Sequence, residues 1–173
     1  LAPKAAPRWA ARTAAMHEAY LKWSTPPMTG PGDVQMGPIM AWIEENTPQD
    51  TIFTNGAGNY TVWVHRFYRY RRLGTELAPT NGAMGYGLPA AVAAKLAHPE
   101  RTVVCFAGDG NFQMNCNELA TAMQHGAQPI VLVLNNGIYG TIRAHQERNY
   151  PARVSGTTMI NPDFPALARA YGF

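Results

Sequence analysis

Two short polar segments stand out by residue type and spacing: Gly108-Asp109-Gly110 and Asn135-Asn136-Gly137. Twenty-four residues lie between Gly110 and Asn135. That gap holds a loop, a helix of about three turns, a second loop and a buried strand. Asp109 follows the apolar run Arg101–Ala107, and Asn135 follows another, Ile130–Leu134. The two side chains therefore leave the same end of neighbouring parallel strands, one offering a carboxylate oxygen and the other an amide oxygen. Magnesium takes oxygens in near-octahedral order and keeps positions for phosphate and water. A single carboxylate does not neutralise the ion, which leaves charge for a diphosphate. Gly110 and Gly137 let backbone N–H groups approach such an anion, and a helix start adds donors and a favourable dipole. Each segment alone is an ordinary turn former. The metal-diphosphate chemistry is read from the pair, its spacing and the buried strand before each.

The elements that must position these residues follow from pattern. Strands are predicted at Thr51–Thr54, Arg101–Ala107 and Ile130–Leu134 from β-branched and apolar runs. Helices are predicted over Arg8–Trp23, Pro38–Asn46, Tyr60–Tyr68, Ala90–Ala97 and Asn115–His125. One more follows Pro162, where Phe164, Leu167, Ala168 and Tyr171 repeat at helical spacing. Two further glycine-rich loops, Asn55–Asn59 and Asn81–Pro89, sit at a strand end and a helix start. Alternation of strand and helix implies an α/β fold: a three-layer, mostly parallel sheet with helices on both faces and right-handed crossovers. Ligands of such sheets bind beyond the carboxyl ends of the strands, where the polar loops lie.

Composition bounds the function classes. The chain has 173 residues, 46% hydrophobic and 14% charged, enough apolar content for a core and too little charge for disorder. No apolar run reaches about 18 residues, so no membrane span is expected. Net charge is +3, and the one dense basic run is His65-Arg66-Phe67-Tyr68-Arg69-Tyr70-Arg71-Arg72. It reads as a helix end with rings inward and arginines in water, not as a nucleic-acid interface, since no nucleic-acid motif accompanies it. Cys105 and Cys116 form no C-x-x-C pair and are expected as reduced thiols of a cytoplasmic protein. The five histidines have no metal-ligand spacing. Residues 1–29 read as a connector from a preceding domain and residues 30–173 as the diphosphate-binding module.

With these residues in hand, the chain resembles the thiamine diphosphate-dependent enzymes, of acetolactate synthase-like and benzoylformate decarboxylase-like type. The resemblance covers about Gly32 to Phe173 and is strongest in N-G-A-M-G-Y-G-L-P-A-A (Asn81–Ala91), in Ala107–Asn111 and in V-L-V-L-N-N-G-I-Y-G-T-I-R (Val131–Arg143). It implies thiamine diphosphate and Mg2+ as cofactors. Asp109 and Asn136 match the side-chain metal ligands, and the carbonyl of Ile138 the third protein ligand. Asn59 and Tyr60 fall in the loop that contacts the diphosphate, with Gly108, Gly110, Asn111, Ile138 and Tyr139 beside it. The Gly82 carbonyl, next to Ala83, matches the acceptor of the cofactor's amino group. Met84 matches the bulky residue between the cofactor's rings, a place a flexible thioether fills well.

The resemblance also implies what these residues lack. The glutamate that activates the aminopyrimidine lies on a separate pyrimidine-binding domain, usually of a partner subunit. Glu44, Glu45 and Glu118 read as exposed helix positions, so no catalytic residue is expected here. The module is expected to be truncated at its C-terminus and inactive by itself. The implied function is a 2-oxo acid decarboxylase or carboligase acting on a small 2-oxo acid. Gly137–Arg143 departs from biosynthetic acetolactate synthases, which end the corresponding stretch in Met-Val and an aromatic. The alternatives are a benzoylformate decarboxylase-type lyase and a non-catalytic α/β phosphate- or nucleotide-binding module. Neither a Walker lysine nor a G-x-G-x-x-G helix start with a following acid supports the latter.

Overall fold

The computed structural model describes residues 8–173. The first seven residues of the expected connector lie outside the described part. In chain order the elements are α1 (Ala10–Trp23), α2 (Met36–Asn46), β1 (Ile52–Asn55), a 3-10 turn (Asn59–Thr61), α3 (Val62–Phe67) and β2 (Glu76–Leu77). There follow α4 (Gly87–Ala97), β3 (Val103–Gly108), α5 (Asp109–Met114), α6 (Glu118–His125), β4 (Ile130–Leu134), α7 (Gly140–Asn149) and α8 (Phe164–Tyr171).

The sheet runs β2-β1-β3-β4 and every pairing is parallel. β1 meets β3 with Ile52 opposite Val103, and β3 meets β4 with Val104 opposite Ile130. Alternation along the strands splits the core in two. Val103, Cys105 and Ala107 face α4, α6 and α8 through Leu88, Ala91, Leu119 and Phe164. Phe53, Val104 and Phe106 face α2 and α3 through Met40, Ile43, Val64 and Phe67. Helices therefore cover both faces, as the continuous apolar runs require. β2 and β4 are the edges of the described sheet, and Ile130 at the start of β4 is 53% exposed.

Three details differ from the sequence expectation. β2 and α7 were not foreseen. The helix expected over Asn115–His125 is α6, Glu118–His125; the shorter α5, also not foreseen, precedes it and ends where Asn115 leaves the helical region (φ −138°). The basic run ends α3 as expected, with Phe67 and Tyr68 buried. Three of its arginines have protein partners: Arg66 lies 4.4 Å over Trp23 and 4.8 Å over Phe67, Arg71 pairs with Glu44 at 3.1 Å, and Arg72 lies 3.8 Å from Asp50. Among the described residues no helix is long and apolar enough to cross a membrane.

Candidate functional site

β1, β3 and β4 run parallel, so their carboxyl ends meet on one side of the sheet. The Gly-Asp-Gly turn and the Asn-Asn-Gly loop are in direct contact there. Asp109 opens α5 and is buried. Its Oδ1 accepts from Gly110 N–H at 2.9 Å, and its Oδ2 accepts from Gly137 N–H at 2.8 Å. The N–H groups of Gly110 and Gly137, expected to face an anion, hold this carboxylate instead. A second donor reaches Oδ2: Asn161 Nδ2 at 2.7 Å, which also bonds Asn135 Oδ1 at 2.7 Å. Asn161 carried no signal in the sequence beyond standing before a helix.

Asn136 is exposed, and its Oδ1 accepts only from Ile138 N–H, at 3.2 Å. Gly137 takes φ +68°, the left-handed value that lets the chain double back after Asn136. The Ile138 carbonyl accepts from Gly140 N–H at 2.9 Å, a tight turn that leads into α7 and leaves one lone pair. Ile138 also bridges antiparallel to Thr158. Three oxygens of the kind magnesium takes therefore stand on one loop pair: one carboxylate, one amide and one carbonyl. Among the described residues there is no group of three or more His, Cys, Asp or Glu side chains that could hold a metal.

The other loops are tied in by side chains. Asn111 is buried; its Oδ1 accepts from Ala57 N–H at 3.1 Å and Gly85 N–H at 3.2 Å, and its Nδ2 donates to Ala57 O at 2.9 Å. One amide thus joins the loops after β1 and before α4. Asn115 adds a bond to Gly85 O at 2.8 Å. The Tyr60 hydroxyl accepts from Gly56 N–H at 3.0 Å, and burial pushes its pKa up to about 12. The glycines flanking Asp109 have steric reasons. A Cβ on Gly108 would stand 3.0 Å from the Tyr60 ring, and one on Gly110 would stand 2.5 Å from the Tyr139 ring. Asn59 N–H reaches Thr141 Oγ1 at 3.1 Å, linking the β1 loop to the start of α7.

These loops frame a cavity of about 1110 Å3, at the upper end of ligand sites, which run to about 1,000 Å3. Asn59, Tyr60, Gly82, Met84, Asp109 and Gly110 line it, as do Asn111, Asn136, Ile138 and Tyr139. Gly108 and Ala83 do not. The first residues of α7, Gly140 to Ile142, also line it, bringing a positive dipole end to that side. The far wall is apolar, with Met36, Ile39, Trp63, Phe106 and Leu132. Its only carboxylates among the described residues are Asp33 and Asp109. Glu44, Glu45 and Glu118 lie elsewhere.

Comparison with known proteins adds an independent line. Residues 56–173 match the family described as thiamine pyrophosphate enzyme, C-terminal TPP binding domain. An acetolactate synthase of Arthrospira platensis is 39% identical over 133 residues, 76% of this chain and 23% of that protein. The acetolactate synthase large subunit of Lactococcus lactis is 37% identical over 142 residues, 81% of this chain and 25% of that protein. A solved structure, the thiamine diphosphate-dependent 4-hydroxybenzoylformate decarboxylase of Rhodococcus jostii, superposes with TM-score 0.76 at 29% identity. That superposition covers 87% of this chain and 28% of the decarboxylase. The chain thus spans about a quarter of the length of the relatives it matches.

Proposed function

The chain belongs to the thiamine pyrophosphate enzymes, whose C-terminal cofactor-binding domain it carries over residues 56–173, and on that premise we propose that its cavity takes thiamine diphosphate together with Mg2+. The contact of Gly137 N–H with Asp109 Oδ2 at 2.8 Å carries the reading. It joins the two loops whose oxygens suit the ion. Asp109 supplies the charge, Asn136 an amide oxygen and Ile138 a carbonyl. The start of α7 faces the diphosphate with its dipole. Asn59, Tyr60, Gly110, Asn111 and Tyr139 shape the pocket around it. The exposed Gly82 turn presents backbone to the aminopyrimidine, and Met84 fills the bend between the rings. Thiamine diphosphate, when bound, supplies a nucleophilic carbon and an electron sink for bond cleavage beside a carbonyl. The protein's part is to orient it and exclude water from the apolar wall.

The whole protein is proposed to be a 2-oxo acid decarboxylase or carboligase of acetolactate synthase type. The activating carboxylate is then supplied by a pyrimidine-binding domain outside these residues, from a second subunit. The likeness to a 4-hydroxybenzoylformate decarboxylase favours an aryl 2-oxo acid as the second substrate class to assay. The test is titration of thiamine diphosphate at fixed Mg2+, read by tryptophan fluorescence, with Trp63 in the cavity wall as reporter. Saturable quenching that EDTA reverses is expected. Quenching without metal dependence, or none, would defeat the assignment. Pyruvate and benzoylformate turnover by the protein at its natural length then separates the two substrate classes.

A further inference from the structure

The Asp109 carboxylate has about four lone-pair directions, and the protein fills three. Oδ1 takes Gly110 N–H, while Oδ2 takes both Gly137 N–H and Asn161 Nδ2. Oδ2 is therefore full, and Oδ1 keeps one direction free. The orientation of the Asn161 amide is set on both sides. Its Nδ2 faces two oxygens, Asp109 Oδ2 and Asn135 Oδ1, and its Oδ1 accepts from Gln113 Nε2 at 2.7 Å. A flipped amide would set oxygen against oxygen twice. The segment carrying Asn161 is strapped to the Asn-Asn-Gly loop by Met159 N–H to Gly137 O at 2.8 Å and Tyr139 N–H to Thr157 O at 2.9 Å.

We propose that Asn161 is a positioning residue that makes Asp109 a one-oxygen ligand and thereby sets the cation preference of the site. The inference rests on the magnesium reading above and deepens it. Magnesium requires near-ideal octahedral geometry, whereas the larger calcium ion accepts a carboxylate through both oxygens and more ligands in all. With Oδ2 filled, Asp109 meets a cation through Oδ1 alone, which suits magnesium. Removing Asn161 frees a direction on Oδ2 and lets Asp109 grip a larger ion with both oxygens. Gln113 is exposed and acts one step further out, by holding the amide the right way round.

The experiment uses the protein at its natural length. Thiamine diphosphate-dependent tryptophan quenching is titrated with Mg2+ and, separately, with Ca2+. For Asn161→Ala, the Mg2+ requirement should rise about tenfold or more, while the Ca2+ requirement stays level or falls. Gln113→Ala should shift the same ratio in the same direction by less. If Asn161→Ala fails to fold, Gln113→Ala alone decides: a shifted ratio supports the proposal and an unchanged one overturns it. Equal losses for both cations, or no change for either, would make Asn161 a strut without influence on the ion and overturn the proposal. Absence of any metal-dependent quenching in the unsubstituted protein overturns the magnesium reading itself and is told apart by that control.

Discussion

Substituting Asp109 removes a charge and, in the same step, the acceptor of Gly110 N–H, Gly137 N–H and the Asn161 amide. Asp109→Ala should therefore abolish magnesium-dependent cofactor binding and also loosen both loops. Asp109→Asn keeps the shape at the smaller cost of setting its Nδ2 against one donor, Gly110 N–H, while its Oδ1 still accepts from Gly137 and Asn161. A folded Asp109→Asn variant that binds as tightly as the parent would return the turn to a purely structural role. Asn136→Ala should weaken binding less, by about 1.5–3 kcal/mol, and Ile138→Ala should leave it nearly intact, since only the backbone carbonyl is used. Cofactor titration at fixed Mg2+ checks all three. A second prediction concerns the buried Cys105. Burial pushes its thiol from 9.0 up to about 12, and Tyr60 rises from 10.0 to about 12 for the same reason. Both folded values lie above the unfolded ones, so their contribution is complete below about pH 9 and is lost as pH rises towards 12. Denaturant unfolding should show stability declining across that window, with a shallower decline in Cys105→Ala. An unchanged slope would contradict this. Asp109 and Asn136 were legible because a motif and its spacing named them. Asn161 was not, since it reaches back 52 positions to Asp109 and nothing local announces the contact.

At the scale of elements, β1 and β3 were legible because strands buried on both faces read as unbroken apolar runs; β4 read the same way, but it lies at the sheet edge and none of its residues is buried. β2 is two exposed residues that become a strand only by pairing with β1, so no local pattern marks it. α7, Gly-Thr-Ile-Arg-Ala-His-Gln-Glu-Arg-Asn, buries no residue and lacks the apolar stripe on which helix reading depends. The joints between elements are where polar side chains matter most. Asn111 holds the loops after β1 and before α4 together, and its removal leaves the Ala57 and Gly85 N–H groups without partners. Asn111→Ala should cost on the order of 1–3 kcal/mol and speed amide exchange at Ala57 and Gly85 in particular. Exchange rising uniformly over the sheet, or not at all, would show that the two loops do not depend on this amide.

For the molecule as a whole, β4 forms one wall of the cavity, and the described carboxylates that line it are Asp33 and Asp109. Among the described residues no glutamate lines the cavity. The 173-residue chain by itself should accordingly turn over neither pyruvate nor benzoylformate; product formation by the homogeneous chain, measured by chromatography, would refute this. The α/β architecture was legible from alternation alone. The cavity's apolar wall was not, because Met36 and Ile39 of α2, Trp63 of α3, Phe106 of β3 and Leu132 of β4 come from segments far apart in the chain and read locally as ordinary core positions.

The parallel order of the sheet also has a consequence in time. β1 lies in the middle of the sheet, yet its central neighbour β3 follows it by about fifty residues. During synthesis at about 5–20 residues per second, Phe53 waits several seconds for Val104 to exist. Meanwhile the one strand partner it can find is the two-residue β2. Met40, Ile43, Val64 and Phe67 of the same core layer already exist early in that interval, so what Phe53 lacks for those seconds is its strand neighbour and the β3 residues Val104 and Phe106. Until then the β3-facing edge of Ile52–Asn55 is unpaired, and an unpaired strand edge is a template for pairing with another chain.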